Sequence, residues 1–162
     1  MAITPDLTGR TVLVTGSARR VGRELLLSLA DCGADVVVHY RDSEAAATAT
    51  AAEARERGVE ATTVQGDVTD PDAVDDLFTA AAETLDTVDV LVNNVGDFDS
   101  RHWSEIEWES WRNVVESTFY GTVLCSRRAL PAMRERGWGR IVNIGLAVSH
   151  RRRAHTGNFP FL

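Results

Sequence analysis

The chain has 162 residues, 44% of them hydrophobic and 25% charged, a balance that predicts one globular domain and excludes a disordered or membrane-embedded polypeptide. No apolar run approaches the roughly 20 residues that cross a bilayer, and MAITPDLTGR lacks the basic start and apolar stretch of a signal peptide, so a cytoplasmic protein is expected. The net charge of −7 argues against nucleic-acid binding by the body of the protein, and all 17 of its Lys and Arg residues are arginine.

Short β-branched runs alternate with longer helical patterns. TVLVT (11–15) predicts a buried strand and residues 19–33 a helix that stops near Gly33. DVVVHY (35–40) is a second strand, followed by a helix over 43–58 with Ser43 or Glu44 near its start and Gly58 as its stop. EATTVQGD (60–67) gives a third strand, residues 70–85 a helix capped by Asp70, and DVLVNN (89–94) a fourth strand. One long helix is expected from Glu107 to Gly137, with Trp103, Trp108 and Trp111 packing one end and Tyr120 packing mid-helix; GRIVNIG (139–145) is the fifth strand. Residues 145–162 carry the basic cluster HRRRAH without a clear period and are expected to form a loop or tail.

Strands that are apolar throughout and separated by helices indicate a parallel sheet covered on both faces. The expected fold is α/β, a doubly wound, Rossmann-like parallel sheet that ends after its fifth strand, in a single domain over 1–162. Cys32 and Cys125 fall in helical segments and read as buried thiols of a reducing compartment. His39 reads as a strand histidine packed beside Tyr40, while His102, His150 and His155 share no metal-ligand spacing, so no metal site is expected.

VLVTGSARRVG places a glycine turn directly after the first strand and before a helix, the context that makes such a turn a dinucleotide-binding candidate. Gly16 permits dihedrals that a Cβ forbids, and Gly22 lets the helix approach the sheet. Amides at the helix start, with the helix dipole, would hold a pyrophosphate. The second strand ends in HYRDS rather than in the acidic residue that usually takes the ribose diol of NAD. Arg41 can pair with a 2′-phosphate, Ser43 can donate to it and Arg20 can approach from the turn, which favours NADP. If Asp42 points at the ribose instead, NAD competes.

Thr15, Gly16, Ser17, Ala18, Arg19, Arg20, Val21 and Gly22 resemble the TGxxxGxG motif of the short-chain dehydrogenases/reductases, in the TGxxxRxG variant of the pteridine-reductase branch. Gly66, Asp67 and Val68 resemble that family's adenine-contacting turn, and Asn93 to Gly96 its NNAG stretch. Asp67 is then an adenine acceptor or a cap of the turn into Thr69 and Asp70. Asn93 steadies the backbone near the nicotinamide or simply ends a strand.

The resemblance implies a carbonyl or pteridine-type oxidoreductase that binds NAD(P)(H) and protonates its substrate through tyrosine, lysine, serine and asparagine. Here the serine position falls on Leu146, with Ser149 the nearest hydroxyl. The tyrosine position falls on Phe159 or Phe161, the asparagine position on Thr118, and no lysine exists to recruit. No catalytic residue is therefore assigned, and loss of general acid catalysis alone removes ~10²–10⁴-fold of rate. Two readings follow. One is an NADP-preferring reductase that is truncated or degenerate, acting on a small carbonyl only where a complete site is supplied elsewhere. The other is a non-catalytic nucleotide-binding or partner module, whose open fifth-strand edge would pair in a homo- or hetero-oligomer.

Overall fold

A computed structural model describes residues 5–99 and 101–145. Strands β1 (Thr11–Val14), β2 (Asp35–Tyr40), β3 (Ala61–Gln65), β4 (Val90–Asn93) and β5 (Arg140–Asn143) form one parallel sheet in the order β3-β2-β1-β4-β5. Helices α1 (Arg20–Ala30), α2 (Glu44–Glu56), α3 (Pro71–Thr84), α4 (Trp108–Val115) and α5 (Gly121–Glu135) connect them. The expected doubly wound α/β sheet is thus present. Its strand order reverses between β1 and β4, where a crevice opens at the carboxyl ends of the strands.

Alternation along each strand divides the core into two layers. Val12, Val14, Val36, Val38, Val90 and Val92 face α1 and α2 and meet Leu26, Leu27, Ala30, Ala47, Ala51 and Ala54. Leu13, Val37, Val64 and Leu91 face the other way, against Val74, Leu77, Phe78 and Ala81 of α3 and Cys125, Ala129 and Met133 of α5. Both sides of the sheet are covered, which is why β1 and β4 read as unbroken apolar runs rather than as alternating ones. Burial pushes the Cys125 thiol up to about 12, and the residue packs as a small hydrophobe; Cys32 is only half-buried.

The opposite end of the sheet is pinned by charge. Buried Asp89 accepts from the Thr11 amide at 3.1 Å and pairs with Arg136 at 3.1 Å and Arg10 at 3.5 Å. The Arg10 guanidinium in turn stacks 4.0 Å above the Trp138 ring. At the start of α3, Asp70 caps as expected, its carboxylate accepting from the amides of Asp72 and Ala73, with Pro71 in the first turn.

The long helix differs from expectation. It is broken into α4 and α5 by a five-residue π turn, Glu116–Tyr120. Ser117 in this turn is buried and receives the Asp97 amide at 3.1 Å, so the widened turn is shaped by the loop after β4. A repeat of 3.6 residues cannot disclose such a contact. Trp108 is 70% exposed and Tyr120 54% exposed, so neither packs into the core as expected. The predicted 145–162 tail lies outside the described residues beyond Gly145, as does the Trp103 side chain.

Candidate functional site

The turn after β1 is held by three different parts of the chain: the loop after β4, β2 and α2. Thr15 Oγ receives the amides of Asn94 and Val95 at 2.9 and 3.1 Å. Asn94 returns its side-chain amide to the Thr15 carbonyl at 2.9 Å. The Gly16 amide donates to His39 Nδ1 at 2.8 Å, the Ser17 amide to the His39 carbonyl at 3.0 Å, and the Thr50 hydroxyl to the Ala18 carbonyl at 3.0 Å. Gly16 stands at φ +66°, where a side chain would strain the backbone. A Cβ at Gly22 would collide with the Gly16 carbonyl and with the Asn94 amide, so the third position of the motif is set by close approach.

Arg20 begins α1 at φ +55°, the one non-glycine residue in the left-handed region among those described. Such a conformation costs an ordinary side chain roughly 1–2 kcal/mol, and backbone strain of this kind gathers at functional sites. The Arg19 N-cap gives α1 no side-chain hydrogen bond, and no acidic residue lies in the first turn. The leading amides of α1 therefore carry their dipole toward the crevice without a side-chain acceptor.

A cleft of about 190 Å³ opens beside this turn, lined by Gly16, Arg19, Tyr40, Arg41, Ser43 and Asp67 among others. Ser43 precedes α2 but makes no capping bond with its hydroxyl. Arg41 is exposed; its Nε donates to Asp42 at 2.9 Å and its Nη1 lies 3.7 Å from Asp67. Asp67 is itself the turn cap, its Oδ1 accepting from the Thr69 amide at 2.9 Å and hydroxyl at 2.8 Å. Partial burial opposes its charge, but the Thr69 bonds and the Arg41 cation outweigh this and hold its carboxyl below the usual range. His39, at the back of the cleft, is 2% exposed, and burial pushes its ring down to about 4, so it stays neutral.

The family model described as short chain dehydrogenase matches residues 10–159. The chain belongs to the short-chain dehydrogenase family. It is 37% identical over 138 residues to a Synechocystis 3-oxoacyl-(acyl-carrier-protein) reductase, covering 85% of this chain and 56% of that protein. It is 34% identical over 150 residues to a Picea abies short-chain type dehydrogenase/reductase, covering 88% and 55%. Among solved structures, a putative gluconate dehydrogenase from Agrobacterium tumefaciens superposes with a TM-score of 0.89 at 34% identity, covering 99% of this chain and 62% of that one. A gluconate 5-dehydrogenase from Burkholderia cenocepacia, in complex with NADP and tartrate, gives 0.87 at 28% identity, covering 96% and 60%. The chain thus spans little more than half the length of the curated relatives it matches.

Within this short-chain dehydrogenase frame, Gly16, Arg19, Arg41, Ser43, Asp67 and Val68 come together around the cleft. Ser17 lies directly behind it, its hydroxyl receiving the His39 amide at 3.1 Å. Arg20, Val21 and Gly22 open α1 beside the cleft, with Val21 exposed and Gly22 buried. Asn93 is buried and does not line the cleft; its amide donates to Asn143 at 2.9 Å and to Ser126 at 3.2 Å across β4, β5 and α5. Gly96 follows β4 and borders Thr118. Sequence reasoning placed Thr15 in the glycine motif and Asn94 in the NNVG stretch without giving either a role, missed Ser117 and treated His39 as packing alone. The weight of the NN pair at this turn falls on Asn94. Leu146, Ser149, Phe159 and Phe161, where the catalytic serine and tyrosine were sought, lie outside the described residues. Among the described residues no cluster of His, Cys, Asp or Glu suits a metal ion, and no helix is long and apolar enough to cross a membrane.

Proposed function

We propose that the cleft binds the adenosine side of an NAD(P)(H) coenzyme, with NADP(H) preferred over NAD(H), in a short-chain reductase of small carbonyl compounds. The observation that carries this reading is the pairing of uncapped α1 amides with a cleft end made of Arg19, Arg41 and the unspent Ser43 hydroxyl. The residues fit the coenzyme: the turn is kept free of Cβ atoms at Gly16 and Gly22, and the amides suit a pyrophosphate. Arg19 and Arg41 suit a 2′-phosphate, and Arg20 stands in the same turn; Asp67 and Val68 border the adenine side. NADP bound to the Burkholderia gluconate 5-dehydrogenase supports the choice. When bound, such a coenzyme supplies a hydride. This chain's residues orient it and balance its charge.

Asp42, Asp67 and Asp97 temper the preference, since all three border the same cleft. A 2′-phosphate must draw Arg41 off Asp42. Calorimetry should find NADPH bound more tightly than NADH, and Arg41→Ala should weaken NADPH about tenfold while changing NADH little, as expected for a charge-assisted bond to a phosphate. Equal affinities in the wild type count against the phosphate role.

The TGxxxRxG turn supports a carbonyl or pteridine substrate, and the absence of lysine from these 162 residues supports impaired turnover by this polypeptide. Robust NADPH oxidation with a panel of carbonyls and pterins overturns the impairment. A cytoplasmic setting belongs to the same proposal.

A further inference from the structure

The two turns that wall the cleft are distant in sequence. Residues 15–18 follow β1, residues 66–69 follow β3, and β2 lies between them in the sheet. His39, next to last in β2, spans the gap with its ring. Nδ1 receives the Gly16 amide at 2.8 Å, and Nε2 stands 3.1 Å from the Gly66 carbonyl oxygen. An amide hydrogen needs an unprotonated nitrogen, and a carbonyl oxygen needs a donor, so the two partners fix a single neutral tautomer with its proton on Nε2. The neighbouring backbone adds to the bridge. The His39 amide donates to Ser17 Oγ at 3.1 Å, the His39 carbonyl receives the Ser17 amide at 3.0 Å, and the Gly66 amide donates to the Tyr40 carbonyl at 3.0 Å.

One consequence concerns the anion site. The Gly16 amide is spent on the His39 ring, so a pyrophosphate falls to the amides that follow, at the start of α1. The position of those amides relative to Arg41, Ser43 and Asp67 depends on the separation of the two turns, to which the ring adds a direct link beside these backbone bonds. Resting on the coenzyme reading above, we infer that His39 is a positioning residue that holds the pyrophosphate turn and the adenine turn at the spacing an NADP(H) adenosine half requires. No other imidazole nitrogen or carboxylate among the described residues bonds to both turns. Asp67 and Arg41 border the same cleft but form no hydrogen bond to the ring, which feels Asp67 only through its charge.

The test is a calorimetric titration of the 162-residue chain with NADPH and with adenosine 2′,5′-bisphosphate, for the wild type, His39→Leu, His39→Gln and His39→Asn. Circular dichroism selects a temperature at which each variant is folded. Leu leaves both backbone groups without a partner and is expected to weaken both ligands on the order of tenfold. Asn can still offer an oxygen to the Gly16 amide and is expected to recover part of the loss; Gln, whose terminal amide reaches Gly66 but leaves Gly16 unserved, recovers less. A purely structural role lowers the melting temperature of every variant and leaves the affinities of the folded proteins equal, which overturns the inference while the coenzyme reading stands. Binding by Gln as tight as by Asn, or tighter, also overturns it, and this comparison decides the matter if the Leu variant does not fold. A wild type that binds neither nucleotide overturns both.

Discussion

At the scale of single residues, the site depends on groups whose charge state is set by burial. His39 is neutral when folded because its ring is desolvated, and its two hydrogen bonds suit the neutral tautomer alone. The unfolded chain takes up a proton on this ring as pH falls below 6.5, whereas the folded chain resists until about 4. The stabilisation is therefore fully present above pH 6.5 and is lost as pH falls toward 4. Urea denaturation at pH 7 and pH 4.5 should show this residue contributing a loss on the order of 2–3 kcal/mol. His39→Asn, which cannot titrate there, should lose correspondingly less over the same interval. A variant as pH-sensitive as the wild type refutes the assignment. Asn93 and Asn94 illustrate how little adjacency says about role at this scale. One ties β4 to β5 and α5, while the other ties the loop after β4 to the glycine turn, because successive side chains leave a strand on opposite faces.

At the scale of elements, the covered strands and the outermost strand behave differently. β1 and β4 are buried along their length, but β5 pairs with β4 alone among the described residues and leaves Val142 45% exposed and Ile144 46% exposed. Apolar groups that stay exposed beside a strand in the polypeptide under test favour pairing with another copy. Val142→Lys should lower concentration-dependent self-association in light scattering while changing folding free energy by no more than about 0.5 kcal/mol, as for other exposed positions. Association unchanged by the substitution removes β5 as its cause. The π turn between α4 and α5 belongs to the same scale. It brings Ser117 under Asp97 and Thr118 beside Gly96, so the helix is shaped by the loop that borders the cleft rather than by its own pattern.

At the scale of the whole molecule, an acidic chain of net charge −7 gathers Arg19 and Arg41 at one cleft over the carboxyl ends of β1, β2 and β3. A ligand that binds only the folded chain stabilises it by mass action, by about 2.7 kcal/mol at a hundredfold excess over Kd. For a chain of this size that corresponds to a melting shift of roughly 5–10 °C. On the proposed reading, equal concentrations of NADPH should raise the midpoint more than NADH, and added salt should narrow the difference because the discriminating charges are exposed. A midpoint unmoved by either nucleotide removes coenzyme binding by this polypeptide.

The order of strands and helices was legible in the chain because buried parallel strands and amphipathic helices write their periods into the sequence. The glycine turn was legible too, since Gly16 and Gly22 answer to local backbone and packing demands that few other residues meet. Tertiary structure alone decided which groups serve that turn. Thr15 meets Asn94 from 79 residues away, Gly16 meets His39 from 23, and Ala18 meets Thr50 from 32, contacts that leave no period behind. It also decided that the long helix breaks at Glu116 and that Asn93 bonds to Asn143 instead of lining the cleft. Periodicity reports which face of an element is apolar; the partner of a polar atom exists only once the sheet has brought distant segments within a hydrogen bond of one another.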